Sequence, residues 1–125
     1  MKKYIIFFIF ITNNAFASSS IDCEKPNNIF ECSKITYSKS EKSYINLVQS
    51  AELKLKEKIN KKYADRFIKI EEMWRKMVNK QCKHLRDFYQ GGSVGATSFV
   101  ACYEVMYEHR EKELRSIYDD IIGER

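Results

Sequence analysis

Glycine and proline are scarce in this chain, with four glycines and one proline among 125 residues. Neither occurs between residues 39 and 90, and no stretch alternates apolar and polar residues as a half-buried strand does. Because glycine and proline disfavour helix interiors, the sequence predicts an all-α fold. Gly91-Gly92 lacks the preceding strand and the Gly-Lys-Ser/Thr sequence of a phosphate loop, so it is interpreted as a turn.

Histidine is scarce as well, and only His84 and His109 are present. Nucleophilic catalysis needs a nucleophile, a base and an orienting group within hydrogen-bond reach, and both histidines fall outside the apolar stripes of the predicted helices. Neighbouring carboxylates such as Glu71-Glu72 point in different directions on a helix. The sequence therefore predicts a protein that is not an enzyme and that needs no metal or cofactor.

Long apolar runs are absent, because the longest one, residues 4–11, is far shorter than the ~20 residues of a membrane-spanning helix. It follows a lysine pair at positions 2–3 and precedes Ala15-Phe16-Ala17, the small-residue pattern of a signal-peptide cleavage site. Residues 1–17 are predicted to be a signal peptide. Their removal leaves a periplasmic or secreted protein without a transmembrane segment.

Four cysteines lie in the predicted mature chain, at Cys23, Cys32, Cys82 and Cys102. An even number of cysteines in an exported protein indicates disulfides. Two helical patterns meet at Gly91-Gly92, midway between Cys82 and Cys102. A hairpin at that point brings these two cysteines together, which leaves Cys23 to pair with Cys32.

These signals divide the chain into three parts. Residues 1–17 form the signal peptide, residues 18–38 an irregular N-terminal arm closed by Cys23–Cys32, and residues 39–125 a helical domain with a hairpin turn at 91–95. A single helix over 39–90 would be about 78 Å long, so we expect a break near residues 60–65. The predicted architecture is an antiparallel helical hairpin or three-helix bundle braced by two disulfides.

The hairpin predicts which helix positions face each other, because facing residue numbers sum to about 184. The expected pairs are Val78/Met106, Trp74/Arg110, Ile70/Leu114 and Phe67/Ile117. Arg110 thus falls on an apolar stripe, where a guanidinium needs a partner. Trp74 offers a cation–π face and Glu71, one turn earlier, a carboxylate. We interpret Trp74, Arg110 and Glu71 as a structural contact that fixes helix register; the alternative is an exposed Arg110 that binds a partner.

Charge is distributed unevenly, with a net +7 over residues 39–90 and −3 over residues 103–125. Mutual attraction of two antiparallel helices explains this pattern without a partner. One alternative is a basic stripe for an envelope anion, since nucleic acid is not expected outside the cytoplasm. Its residues are Lys54, Lys58, Lys61, Lys62, Arg66, Lys69 and Lys76.

Spacings in the second half resemble those of the LprI-type lysozyme-inhibitor family. They are Glu71-x-x-Trp74 followed by Cys82, then Gly91-Gly92-Ser93, then Cys102-x-x-x-Met106-x-x-x-Arg110-x-x-x-Leu114. The resemblance covers about residues 67–118, where Glu71 replaces a family glutamine and Tyr107 a family threonine. In the first half the family's Leu-Asn-x-x-Tyr element has two candidate alignments, at Ile45-Asn46 and at Ile59-Asn60.

The resemblance implies a small exported helical protein that binds a lysozyme or another peptidoglycan hydrolase. Many lysozymes are strongly basic, and opposite charge speeds association. The predicted partner surface is therefore the acidic C-terminal helix, with Glu104, Glu108, Glu111, Asp119 and Asp120. Two alternatives stay open: an immunity-type protein against a cell-wall toxin, and an anion-binding or structural envelope protein.

Overall fold

The computed structural model describes residues 24–123 and contains only helices within them. A short 3₁₀ helix, Pro26–Asn28, leads into α1 (Ile29–Lys58), α2 (Lys61–Phe88), α3 (Gly92–Ile117) and the single turn α4 (Asp119–Ile122). The three long helices pack against one another, with α2 antiparallel to the other two. The predicted all-α fold with three main helices is confirmed.

The predicted signal peptide lies outside the described residues. Within residues 24–123, no helix combines the length and the apolar character needed to cross a bilayer.

Helix α1 begins earlier than the sequence predicts. Residues 29–38, expected to be irregular, form its first ten residues. Hydroxyl groups there stay within the helix, since Ser33 Oγ donates to the Ile29 carbonyl at 2.9 Å and Thr36 Oγ1 to the Cys32 carbonyl at 3.0 Å. Tyr37 also packs its ring on Tyr103 of α3, with centroids 5.3 Å apart. Tertiary packing therefore outweighs the weak local helix signal.

The break between α1 and α2 lies at residues 59–60, at the N-terminal edge of the expected interval. Asn60 adopts an extended conformation, and its side-chain Oδ1 accepts a hydrogen bond from the Tyr63 amide at 3.1 Å. Asparagine is among the preferred N-cap residues because it satisfies a free amide of the first turn. Asn60 thus starts a new helix and reverses the chain.

The turn between α2 and α3 occupies residues 89–91, slightly before the predicted interval of 91–95. Gln90, Gly91 and Gly92 have φ values of 56°, 76° and 70°, in the left-handed region that glycine adopts at little cost. The reversal brings Cys82 and Cys102 to a Cα–Cα distance of 5.6 Å, and they form the predicted disulfide. The other predicted disulfide, Cys23–Cys32, involves Cys23, which lies outside the described residues, and it stays a prediction.

The buried row of α2 agrees only in part with the positions predicted to face α3. Its members are Ala64, Phe67, Glu71, Val78 and Cys82. Ile70, predicted to face Leu114, is instead 50% exposed, and Ile117, predicted to face Phe67, is 62% exposed. Phe67 packs edge-on against Tyr118, with centroids 5.4 Å apart. The buried face of α2 is therefore rotated relative to the predicted one, because Glu71 faces the core instead of Ile70.

The C-terminal turn α4 is held against α1 by two lysines. Lys54 Nζ donates to the Ile122 carbonyl at 2.7 Å, and Lys58 Nζ donates to the Ile121 carbonyl at 3.2 Å. These carbonyls lie at the end of a helix, where no intrahelical donor is available and where positive charge is favoured. Part of the predicted basic stripe therefore serves to anchor α4.

Candidate functional site

A cleft of about 610 Å³ opens between α1 and α2, and α3 forms its floor. We call it the tyrosine cleft. Its lining residues come from all three long helices: Tyr37 and Glu41 of α1, Glu72, Arg75, Lys76 and Asn79 of α2, and Tyr103 and Tyr107 of α3. The volume lies in the range of about 300–1,000 Å³ that is typical of small-molecule sites.

The floor of the cleft is built from three packed tyrosine rings. Tyr103 and Tyr107, one helical turn apart on α3, stack at a centroid distance of 5.9 Å. Tyr37 lies against both, at 5.3 Å from Tyr103 and 6.2 Å from Tyr107. Aromatic pairs prefer such offset or tilted arrangements, which add to the apolar burial. The three rings connect α1 to α3 along the floor of the cleft.

Each of these tyrosines interacts with a polar side chain of the cleft. Tyr103 donates a hydrogen bond to Asn79 Oδ1, and Tyr37 and Tyr107 interact electrostatically with Glu41 and Arg75, respectively. A tyrosine has an apolar ring and a polar tip, so it suits the border between a core and a wet cleft. The tyrosines of the cleft floor thereby help to position the polar side chains of the cleft.

Burial raises the pKa of Tyr37, and the Glu41 carboxylate raises it further. Burial also raises the pKa of Tyr103. For Tyr107, burial and then Glu41 raise the pKa, while Arg75 opposes them. The three hydroxyl groups therefore stay protonated, as donors, over the whole physiological pH range.

A second group of polar contacts lies next to the cleft, and we call it the Glu71–Arg110 network. Glu71 is only 2% exposed. Arg110 Nη2 donates to Glu71 Oε1 at 2.5 Å, and Arg110 Nε donates to Glu71 Oε2 at 3.2 Å. Tyr44 Oη donates to the same Oε2 at 2.8 Å. A buried carboxylate thus has donors for both of its oxygens, as a buried charge requires.

The network also contacts the only tryptophan of the chain. The guanidinium of Arg110 lies 5.5 Å from the centre of the Trp74 ring, and its Nη1 donates to Glu113 Oε2 at 2.8 Å. Burial alone would lower the pKa of Arg110, but hydrogen bonds to Glu71 and Glu113 raise it above its usual value. The structure therefore brings together Trp74, Arg110 and Glu71, as expected from the hairpin.

The acidic residues predicted to form a partner surface do not converge in the same way. Glu104, Glu108 and Glu111 recur every three or four residues and so share one side of α3. Asp119 and Asp120 are exposed and lie in α4. None of the five lines the tyrosine cleft. Glu111 Oε1 is buried without a hydrogen-bond partner in the described part of the chain.

The cleft is hard to predict from the sequence because a tyrosine at helical spacing is equally well explained as an apolar core position. Tyr44 and Tyr103 do lie in the core, yet their hydroxyl groups donate hydrogen bonds to polar side chains, Glu71 and Asn79, respectively. One signal was present: several tyrosines occur at core spacing within a short chain, and each buried hydroxyl needs a partner. The spacing of Tyr103 and Tyr107, one turn apart, already placed two of them on one face.

The described residues contain no group of three histidine, cysteine, aspartate or glutamate side chains that could hold a metal ion. His84 and His109 are both exposed. The cleft instead offers hydroxyl groups, carboxylates, an amide, a guanidinium and an ammonium group, which suit binding by hydrogen bonds.

Four tyrosines with raised pKa values predict a steep loss of stability at alkaline pH. Burial raises the pKa of Tyr37, Tyr44, Tyr103 and Tyr107 in the folded state above the value near 10 that they have in the unfolded chain. Their contribution is therefore complete below pH 10 and is lost as pH rises above it. Above pH 10, the free energy of unfolding falls by about 1.4 kcal/mol per pH unit for each proton that only the folded state retains.

Urea unfolding between pH 8 and 11.5 measures this slope. Tyr44→Phe is expected to reduce the slope of the unfolding free energy against pH by the contribution of about one proton. Tyr63→Phe is the control, because Tyr63 is half exposed and lies outside the cluster. A free energy of unfolding that stays flat from pH 9.5 to 11.5 would show that the cluster does not titrate as described.

One protein-family model, described as "Lysozyme inhibitor LprI", matches residues 21–119 of the chain. The match includes all of the tyrosine cleft and the Glu71–Arg110 network. No curated protein and no solved structure gives a significant match.

Proposed function

We propose that this chain, which belongs to the lysozyme inhibitor LprI family, binds a peptidoglycan-cleaving enzyme. The proposed target is an enzyme of the lysozyme class, and binding blocks its activity. The family match over residues 21–119 carries this proposal. The predicted signal peptide supports it, because export places the protein in the periplasm or outside the cell, where such enzymes meet their substrate. The protein acts by binding and performs no reaction of its own.

The acidic side of α3 is the proposed contact surface. Glu108 is exposed, and Glu104 and Glu111 are partly exposed on the same side of the helix. Asp119 and Asp120 extend the negative charge into α4. Since many lysozymes are basic, this surface speeds their association and excludes acidic competitors. The whole chain has a net charge of +5, and it stays positive after Lys2 and Lys3 leave with the predicted signal peptide. A local acidic surface is therefore necessary for such steering.

A rigid scaffold supports tight binding, because a surface that is already ordered loses little conformational entropy on association. Helix α3 is fixed to α2 by the Cys82–Cys102 disulfide at one end and by the Glu71–Arg110 network further along. It is fixed to α1 by the stacked tyrosines. The acidic side chains thus project from a helix that is held on two sides.

The alternative of a basic stripe for envelope anions has weaker support from the geometry. Lys54 and Lys58 bind carbonyl groups of α4, and Lys61 forms an ion pair with Asp65 at 2.7 Å. Three of its seven cations are therefore engaged within the chain. An immunity-type role against a cell-wall toxin shares the proposed mechanism and differs in the enzyme that is blocked.

Reversing the charge of Glu108 is expected to weaken inhibition about tenfold, mainly by slowing association, and to weaken its salt dependence. The measurement is the lysis of cell-wall suspensions by several lysozymes, with the mature protein titrated in. Glu57→Lys is the matched control, since it makes the same charge change at an exposed position of α1.

Two results bear on different parts of the proposal. If the wild-type protein gives no protection at tens of micromolar against any lysozyme tested, the proposed function is wrong. If it protects, and Glu108→Lys inhibits as well as Glu57→Lys does, the function stands and the acidic surface of α3 is not the contact.

A further inference from the structure

The side chains of the tyrosine cleft carry balanced charge. Glu41 and Glu72 contribute two carboxylates, and Arg75 and Lys76 contribute two cations. An anion bound there would meet two carboxylates, and a cation would meet a guanidinium and an ammonium group. Burying a charge without a dominant counter-charge is costly. The lining therefore favours a ligand that has no net charge.

The lining is also rich in hydrogen-bonding groups of both kinds. Carboxylates accept, the guanidinium and ammonium groups donate, and the Asn79 amide does both. These groups come from two helices, Glu41 from α1 and the others from α2, so a ligand in the cleft lies within reach of both. A neutral ligand gains from such a lining only if it presents several donors and acceptors of its own.

The apolar part of the cleft consists of aromatic rings alone. Tyr37, Tyr103 and Tyr107 form it, and no aliphatic side chain lines the cleft. Tyr37 is partly exposed at the mouth, whereas Tyr103 and Tyr107 are 8% and 3% exposed. Ring edges and hydroxyl groups of the floor therefore meet the ligand, while Tyr37 offers a more open ring. This surface suits the C–H groups of a flat, polar molecule.

We propose that the tyrosine cleft binds an uncharged oligosaccharide. A sugar ring is neutral, has hydroxyl groups around its edge that both donate and accept, and has C–H groups that pack on aromatic rings. Carboxylate, guanidinium and amide groups pair with adjacent hydroxyl groups, since each offers two polar atoms in a fixed geometry. The cleft has this combination of groups, and its volume of about 610 Å³ accommodates a short chain of sugars.

A short zwitterionic peptide is the main competing ligand, because it is also neutral overall. Peptides usually bind through apolar side chains that fill aliphatic or aromatic pockets, or through a free sheet edge. The cleft lacks aliphatic lining residues, and the described residues contain no strand. The lining therefore favours the saccharide. This site is separate from the acidic surface of α3, so the inference does not depend on lysozyme inhibition.

The experiment is a calorimetric titration of the mature protein with three neutral trisaccharides: chitotriose as the N-acetylated one, cellotriose and maltotriose. Trialanine serves as the zwitterionic probe and glucose 6-phosphate as the anionic one. Trp74 provides a second readout, because its ring centroid lies 5.6 Å from that of Tyr107 on the cleft floor. We expect at least one trisaccharide to bind with a Kd of about 10 μM to 1 mM and to change the tryptophan fluorescence.

Two variants locate the binding in the cleft. Glu72→Ala removes an exposed carboxylate of the lining, and Tyr37→Leu removes the open ring while keeping an apolar side chain. Each is expected to raise the Kd of the trisaccharide at least tenfold. Glu57→Ala, at an exposed position of α1 outside the cleft, is expected to leave it unchanged.

Any of three results would overturn the proposal. The first is that no trisaccharide binds at 5 mM. The second is that trialanine or glucose 6-phosphate binds more tightly than every neutral trisaccharide, which would assign the cleft to another ligand class. The third is that a trisaccharide binds wild-type protein and Glu72→Ala and Tyr37→Leu variants equally, which would place the site elsewhere.

Discussion

Replacing Glu71 by alanine is expected to destabilise the bundle by about 3–5 kcal/mol. The substitution leaves Arg110, whose side chain is 12% exposed, without its buried counter-charge. It also leaves the hydroxyl group of Tyr44, a 1% exposed residue, without its acceptor. Breaking one partner of a buried pair costs this much because the remaining charge stays desolvated. Since small domains are marginally stable, the variant is expected to lose a large part of its folding free energy.

Urea unfolding measures this effect, and two comparisons define its cause. Glu72→Ala changes the exposed neighbour of Glu71 and is expected to cost under about 0.5 kcal/mol. Removing both charges together, in Glu71→Leu/Arg110→Leu, is expected to cost less than Glu71→Leu alone, because no unpaired charge remains. If the free energy of unfolding of Glu71→Ala lies within 1 kcal/mol of the wild-type value, the Glu71–Arg110 network does not stabilise the helix packing.

Removing the Cys82–Cys102 disulfide is expected to cost about 3 kcal/mol. The bond closes a loop with a sequence separation of 20 residues, and a loop of that length corresponds to this loss on the chain-entropy account. Alanine is the suitable replacement at both positions, because Cys82 is fully buried and a serine would place a polar hydroxyl group in the core.

Denaturant unfolding of Cys82→Ala/Cys102→Ala against wild type measures this loss. A lower midpoint is expected, with an m-value that is unchanged or larger because the unfolded chain is less constrained. Far-ultraviolet circular dichroism serves as the control that the helices still form. A double variant with the wild-type midpoint would mean that the hairpin is closed by packing alone.

The fold was largely predictable because its strongest signals are local. Scarce glycine and proline indicated helices, and the Gly91-Gly92 pair indicated the reversal that brings Cys82 to Cys102. The same reversal placed Trp74 opposite Arg110, and the structure has them in contact at 5.5 Å. A chain reversal fixes which positions face each other, so it predicted the Cys82–Cys102 and Trp74–Arg110 contacts. It did not predict that Ile70 and Ile117 are exposed.

The rotation of α2 was not predictable from hydrophobicity alone. Ile70 is more apolar than Glu71, yet Glu71 is buried and Ile70 is half exposed. Only the pairing of Glu71 with Arg110 and Tyr44 makes a buried glutamate favourable, and this pairing involves three helices. The helical start of α1 at Ile29 depends in the same way on contacts of Tyr37 with α3.

The tyrosine cleft is the part of the candidate site that the sequence indicates least, because only the spacing of its tyrosines points to it. Its residues lie far apart in the chain, from Tyr37 to Tyr107, and each one has an ordinary role on its own helix. Their common chemistry, which combines balanced charge with aromatic rings, exists only when three helices meet. The acidic residues of α3 were predictable as a group, because they share one helix side by spacing alone.

The proposed inhibition of a lysozyme by direct binding of the enzyme is best measured with a soluble substrate. The measurement is the initial rate at which lysozymes of several structural families cleave a chromogenic chito-oligosaccharide, with the mature protein titrated in. The substrate is kept in large excess over the protein, so that binding of substrate in the tyrosine cleft cannot lower the rate. At least one lysozyme is expected to lose its activity, with saturation at one protein per enzyme. Unchanged rates for every lysozyme at tens of micromolar protein would show that the protein is not a lysozyme inhibitor.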